Sequence, residues 1–223
     1  MTVSEMLNNF LVEYGMVLAV PTPSFTDAEI LFFLNKAQID IANEIYQSGD
    51  SYALHTSGLV ANHTYAAVLA TNASMPSNNI ALDLTSATRY KYFLSLYLSL
   101  TRSAVPVINP AEIVKTENIP KDRAKDFETT AGNQPIYRTP RTYVDGNTLV
   151  TLYDAYTTLV SGFMEYVKEP KILSLVTDDA NYTTTSELRS DYHNAIVTKA
   201  VLFAKDVTEQ QEAALRIQNE KTI

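Results

Sequence analysis

The apolar positions of this chain switch from helical period to strand period and back. Over residues 2–17, Val3, Met6, Leu7, Phe10 and Leu11 recur at helical spacing, with Glu5, Asn8, Asn9 and Glu13 between them. Pro21 and Pro23 end that helix. The spacing predicts a second helix over 27–47. Thr26 and Glu29 form a capping box, Phe25 and Ile30 are placed for a hydrophobic staple, and Gly49 suits the left-handed position past the last turn. Its apolar stripe is Ile30, Phe33, Leu34, Ala37, Ile41 and Ile45, while Asp40, Asn43 and Glu44 fall outside it.

The middle of the chain reads differently. Residues 50–79 are small and polar; the expectations there are short strands near 51–54 and 65–70 and a loop over Asn72–Asn79. Ile80 to Leu84 alternates as a strand. Residues 90–101 (YKYFLSLYLSLT) alternate for longer, as a half-buried strand does, with a leucine-rich helix as the alternative. Val105, Val107 and Ile108 extend the sheet until Pro106 and Pro110 interrupt it. Pro120 starts a short helix with Ala124 and Phe127 on its inner face.

Pro135 and Pro140 make 134–141 an edge ribbon or an extended crossing. Asp145-Gly146 signals a hairpin that pairs Arg141–Val144 with Thr148–Leu152. A second hairpin joins Ala155–Leu159 to Phe163–Val167 through Ser161-Gly162. After a loop over 171–185, Thr184 and Glu187 form another capping box. The helix it opens carries Leu188, Tyr192, Ala195, Ile196, Phe203 and Val207 on its apolar side. Beyond about 208 the apolar pattern thins, although Glu212 and Arg216 make a favourable i,i+4 pair.

This order predicts an α+β fold. A helical body of residues 1–49 and 184–223, with a C-terminal tail from about 206, packs as a bundle around a β-rich insertion, 50–183, of antiparallel strands and hairpins.

Composition narrows the chemistry. The chain of 223 residues has no cysteine, which removes disulfides, zinc–thiolate sites and a cysteine nucleophile. Its six glycines are too scattered for a phosphate-cradling loop. The net charge of −8 argues against general nucleic-acid affinity. It is compatible with DNA sliding through an acidic channel. No apolar run reaches the ~18 residues of a membrane span. The start, MTVSEMLNNF, lacks the basic region of a signal peptide, so the sequons at Asn62, Asn72 and Asn181 read as chance.

No catalytic constellation is evident. Ser190-Asp191-Tyr192-His193 has the composition of a triad, but consecutive helical residues point in different directions, and His193 reads as a helix-surface histidine. His55 and His63 lack metal-ligand spacing, and Asp178-Asp179 reads as a solvated pair. Cofactor and metal expectations are none. Arg138 and Arg141 sit on the proline ribbon, where their guanidinium forks suit either a neighbouring chain's carboxylates or an internal acid such as Asp145 or Asp154. With Tyr143 they are the candidate subunit-interface residues.

Three stretches carry a family likeness: FTDAEILFFLNKAQIDIANEIYQSG at 25–49, TTAGNQPIYRTPRTYVDGNTLVTLYD at 129–154 with EYVKEPKILSL at 165–175, and ELRSDYHNAIVTKAVLFAKDVTEQQ at 187–211. In their order and composition the chain resembles the head–tail adaptor (connector, or ring) proteins of short-tailed bacteriophages, most of all those of crAss-like phages. The resemblance implies a structural virion protein without enzymatic activity. It implies a homo-oligomeric ring, commonly twelve-fold, that sits between the portal protein and the next tail protein after assembly in the host cytoplasm. Genome DNA would pass through the lumen without sequence-specific binding, and no membrane would be involved. The tail after about 206 would then reach the portal, with Leu215, Arg216, Ile217 and Ile223 as candidate docking residues. Other readings are another tail ring component or a small virion-associated hydrolase built on His193 or an acid pair.

Overall fold

The computed structural model describes residues 1–17, 25–65, 78–102, 111–129, 138–153, 157–176 and 181–220. In chain order the elements are α1 (Val3–Val17), α2 (Asp27–Gln47), α3 (Ser51–Thr56), β1 (Val60–Tyr65), β2 (Asn78–Asp83), β3 (Tyr90–Arg102), β4 (Glu112–Lys115), β5 (Glu117–Asn118), α4 (Lys121–Thr129), β6 (Arg141–Asp145), β7 (Thr148–Tyr153), β8 (Thr157–Lys168), β9 (Ile172–Leu173), β10 (Tyr182–Thr183) and α5 (His193–Glu220). Single 3-10 turns occupy Leu84–Ser86 and Ser190–Tyr192. The fold is α+β, with helices toward the termini and a β-rich middle. No helix among the described residues is long and apolar enough to cross a membrane. Two compact units divide the chain, one of Met1–Leu59 with Glu169–Ile223 and the other of Val60–Lys168.

The helical unit is organised by α2. Its capping box forms: Thr26 Oγ1 accepts from Glu29 N–H, and Glu29 Oε2 accepts from Thr26 N–H at 2.8 Å. Those bonds also hold the Glu29 carboxyl below its ordinary pKa. All six stripe residues are buried, and Gly49 adopts a φ of 66° past the helix end. An aromatic cluster ties α2 to α1. Phe10 stacks on Tyr14 at 5.9 Å and on Phe33 at 6.4 Å, and Phe25 meets all three rings edge-on.

α2 also binds backbone. Asn35 Oδ1 accepts from Leu173 N–H (2.7 Å), and its amide donates to Leu173 O (3.1 Å). Gln38 is buried, donates to Lys171 O (2.9 Å) and accepts from Ser186 Oγ (2.7 Å). Two polar side chains on one flank of the helix thus satisfy the segments that lead into β9 and α5, as buried backbone groups require.

α5 begins at His193, not near Thr184. The expected capping box is absent because its members serve other elements. Thr184 O accepts from Val3 N–H (2.8 Å) and Glu187 Oε2 from Lys171 N–H (2.8 Å). Residues 184–189 therefore run as an edge segment, bridged at Thr2–Thr185 and bonded from Arg189 N–H to Ser57 O. The later start also changes the packed face. Ile196, Val197, Ala200, Val201 and Ala204 are buried, whereas Ala195 and Val207 are exposed.

The β unit contains two four-stranded sheets, ordered β1-β8-β3-β4 and β2-β7-β6-β5. All pairings are antiparallel except β5 with β6. Only Thr116 separates β4 from β5, so one short run of chain edges both sheets. Leu96, Leu98, Leu100 and Met164 from the first sheet share a core with Leu82, Leu149 and Tyr153 from the second. The alternation along 90–101 supplies three of the four leucines of β3, Leu96, Leu98 and Leu100, to that core, so the strand reading holds.

Three expectations of strand geometry change. Residues 51–54 are helical, since Asp50 caps α3 by accepting from Tyr52 and Ala53 N–H. The second hairpin does not form: 157–168 is one strand, held extended along the full length of β3, with Leu98 opposite Gly162 and Ser99 opposite Ser161. The Asp-Gly hairpin forms between the expected strands and gains one pair at its turn. Asp145 pairs with Thr148, leaving Gly146-Asn147 as the loop, and the positive φ of Gly146 alone (59°) is the type II′ pattern. The strand expected over 80–84 is β2, and Pro120 precedes α4 with Ala124 buried. Val105, Val107 and Ile108, most of the 65–70 strand, and Pro135 lie outside the described residues.

Candidate functional site

The proline ribbon enters β6, an inner strand between β7 and β5, and Pro140 is buried. Arg141 does not reach outward. Its guanidinium lies 3.7 Å from the centre of the Phe127 ring of α4, and its Nε is 3.4 Å from Glu117 Oε2 of β5. The expected internal acid exists, but it is Glu117; Asp145 pairs with Lys121 at 2.6 Å and Asp154 lies outside the described residues. Arg138 is exposed, with its nearest carboxylate on Glu112 at 3.8 Å. Tyr143 is half-buried on β6 opposite Val150. The three residues therefore lie along one strand entry and do not converge on a pocket. Leu215, Arg216 and Ile217 fall on the helical backbone of α5, with side chains outside the described set, and Ile223 lies outside the described residues altogether.

The histidines fare differently from expectation. His193 is buried, not on a helix surface. Its Nε2–H donates to Leu188 O (2.8 Å), and Nδ1 lies 3.1 Å from the amino group of Met1, which can only donate to it. Both ring nitrogens are occupied in structural bonds, and Asp191 is engaged by Arg189. The burial arises because His193 lies in helical phase with the buried stripe of Ile196, Val197, Ala200, Val201 and Ala204.

His63 makes a contact that its sequence neighbourhood does not announce. Its Nε2 lies 3.3 Å from Ser86 Oγ, and its ring packs edge-on against Tyr65 at 4.6 Å. The pair falls short of a nucleophile and base. Ser86 Oγ–H donates to Asp83 O at 2.6 Å, and among the described residues no group orients His63 Nδ1. The Asp83 carboxylate is held by the hydroxyl and N–H of Thr85, which keep its pKa below the usual range. Among the described residues no three potential ligands gather as a metal site, and Asp178-Asp179 lies outside them.

A concave feature among the described residues lies on the outer face of the β1-β8-β3-β4 sheet. A groove of about 470 Å³ is lined by Tyr97, Phe163 and Ile113, by the hydroxyl residues Thr64, Ser99 and Ser161, and by Glu165. The register explains it. Lys115, Tyr97 and Phe163 form one row across three strands, and Ile113, Ser99 and Ser161 form the next. The Tyr97 and Phe163 rings are 6.1 Å apart, and the Lys115 ammonium lies 5.6 Å over Tyr97. Ser95 Oγ–H donates to Glu165 Oε2, and among the described residues nothing bonds to Oε1. Alternation along 90–101 already places Tyr97 and Ser99 opposite the leucines; Phe163 and Glu165 were hidden because their strand reads as half of a hairpin.

No known family model matches the chain, and no curated protein matches it.

Proposed function

We propose that the chain is a structural virion protein of the head–tail adaptor kind, whose copies form a ring between portal and tail through which the genome passes. The reading comes from the resemblance of the three stretches to adaptors of short-tailed phages. The observation that supports it best is α5. Among the residues of that helix whose side chains are described, Ala204 is the last buried one, and Thr208 still bonds the Tyr14 hydroxyl of α1 at 3.0 Å, yet the helix continues to Glu220. A terminal helix that runs on past its last buried described residue is suited to docking on a partner that adds contacts to it. The acidic balance, −8 for the chain, suits a lumen in which DNA must not stick.

The test is assembly. Mixed with portal protein, the full chain forms a complex whose mass corresponds to a ring. Truncation after Val207 leaves the α1–α2–α5 packing in place and abolishes docking. Unchanged portal affinity after that truncation refutes the role of the tail, and a chain that stays monomeric and indifferent to portal refutes the adaptor reading.

A further inference from the structure

We propose that the groove on the outer face of the β1-β8-β3-β4 sheet is one half of the contact between copies, and that it receives Tyr52 of a second copy. The proposal rests on the ring reading above. A ring needs a heterologous interface, in which two different patches of one chain meet their counterparts on the neighbours. Among the described residues the chain offers a recessed patch and, in Tyr52, a side chain of matching chemistry that is more exposed than Tyr182, at 74% against 43%.

The recess is amphipathic. Tyr97 and Phe163 present rings, Ile113 is 73% exposed at the mouth, and Glu165 Oε1 is an acceptor held in place through the bond from Ser95 to the other carboxylate oxygen. An apolar pocket with a fixed acceptor and hydroxyls beside it suits an aromatic side chain with a polar tip. Tyrosine is that side chain; phenylalanine or valine would leave the carboxylate oxygen without a donor.

Among the described residues Tyr52 is the most exposed large side chain with apolar character, at 74%. It stands in the first turn of α3, with its backbone N–H fixed by Asp50. Its hydroxyl bonds to no described group. Two other raised apolar residues, Phe32 and Val176, have no donor to offer Glu165. Charge agrees as well. Asp50, whose carboxylate caps the turn that carries Tyr52, lies two residues before it, and Lys115 stands at the groove beside Tyr97. Seating Tyr52 against the exposed side of the Tyr97–Phe163 pair brings an acid toward a base, and its phenol donates to Glu165.

Lacking cysteine, the chain permits a clean test with the full-length protein and portal. Tyr52→Ala and Phe163→Ala should each lower ring yield at least tenfold, while Tyr52→Phe, which keeps the ring and loses the donor, should lower it less. Because Tyr52 is exposed, its removal leaves the thermal midpoint unchanged. The double variant Tyr52→Cys with Ile113→Cys, treated with a short bis-maleimide, should give a ladder of covalent multimers that neither single variant gives. If wild-type protein forms no ring, the ring reading and this inference fall together. If the ring forms but Tyr52→Ala assembles like wild type and no ladder appears, the ring reading stands and Tyr52 is not the occupant.

Discussion

Gly58→Ala should be the most damaging single-methyl substitution in the helical unit. Two separate costs meet there. Gly58 has a φ of 87°, and the left-handed region costs an L-residue roughly 1–2 kcal/mol. A Cβ at this position would also fall well inside van der Waals contact with the carbonyl oxygen of Glu187. That oxygen belongs to backbone and cannot swing away. The segment around it is fixed by Arg189 N–H to Ser57 O at 2.9 Å, by Leu188 N–H to Ser186 Oγ at 3.2 Å and by Lys171 N–H to Glu187 Oε2 at 2.8 Å. Displacing it adds about 1–3 kcal/mol, as overpacking does elsewhere. The expected total is about 3 kcal/mol, a large share of a typical stability of ~5–15 kcal/mol. Gly49→Ala is the internal control. Its φ is 66°, but a Cβ there meets nothing within 4 Å, so it carries only the conformational cost. Urea unfolding followed by helical circular dichroism reads both variants on one scale. Equal losses, within about 0.5 kcal/mol, would show that the packing of 184–189 on the α3 end is not rigid, and the clash argument would be wrong.

Other substitutions separate the remaining contacts. Gln38→Leu leaves Lys171 O and Ser186 Oγ without their partner and should cost about 1–3 kcal/mol in the same urea assay, despite adding apolar surface to a buried site. Lys199 bonds Glu44 at 2.5 Å and lies 3.4 Å from Asp40, and its pKa is raised, first by the bond to Glu44. A raised lysine contributes stability that is fully present below its unfolded pKa and is lost as pH rises through the folded one. Lys199→Met should therefore cost only a few tenths of a kcal/mol at neutral pH, because the pair is largely solvated. The gap to wild type should close above about pH 10.4; a gap constant to pH 11 would contradict the assignment. Arg141→Ala should lower the stability of the β unit by about 1 kcal/mol through loss of the Phe127 and Glu117 contacts, whereas Arg138→Ala should leave the thermal midpoint unchanged.

Legibility in the sequence followed how locally each element is determined. α2 could be read to the residue because its cap, stripe and terminal glycine all lie within the helix. β3 could be read because its period is long and Leu96, Leu98 and Leu100 share one side, although a register shift between Phe93 and Ser95 puts Phe93 and not Leu94 against the same core. α3 could not, since six residues carry too little pattern and only the Asp50 cap marks it. Ser161-Gly162 resembles a turn in isolation. What overrules it is a 13-residue partner strand elsewhere in the chain, and a pairing of that range leaves no local mark. The start of α5 fails for the same reason. Thr184 and Glu187 have the right identities and spacing, but Lys171 takes the Glu187 carboxylate and Val3 takes the Thr184 carbonyl that would accept the first helical bond, both from far away in sequence. The groove combines both cases: Tyr97 and Ser99 were legible as an outer face, and Phe163 and Glu165 were not.

The two ribbon arginines looked equivalent in the sequence, and physical accounting separates them. Arg141 has a ring against its planar face and a carboxylate at its edge, and its side chain is 21% exposed. Turning it toward another chain would break both contacts before any new one formed. Arg138 is 77% exposed, and its pair with Glu112, itself 43% exposed, is 3.8 Å long. Such a pair contributes little and is screened within a Debye length of about 8 Å at physiological salt. Arg138 can therefore exchange Glu112 for another carboxylate at almost no cost. Arg141 holds the entry of β6 in place, and that placement is what allows Arg138 to present a charge at a fixed position. If the ribbon meets a neighbouring subunit, the direct contact falls to Arg138 and the indirect role to Arg141.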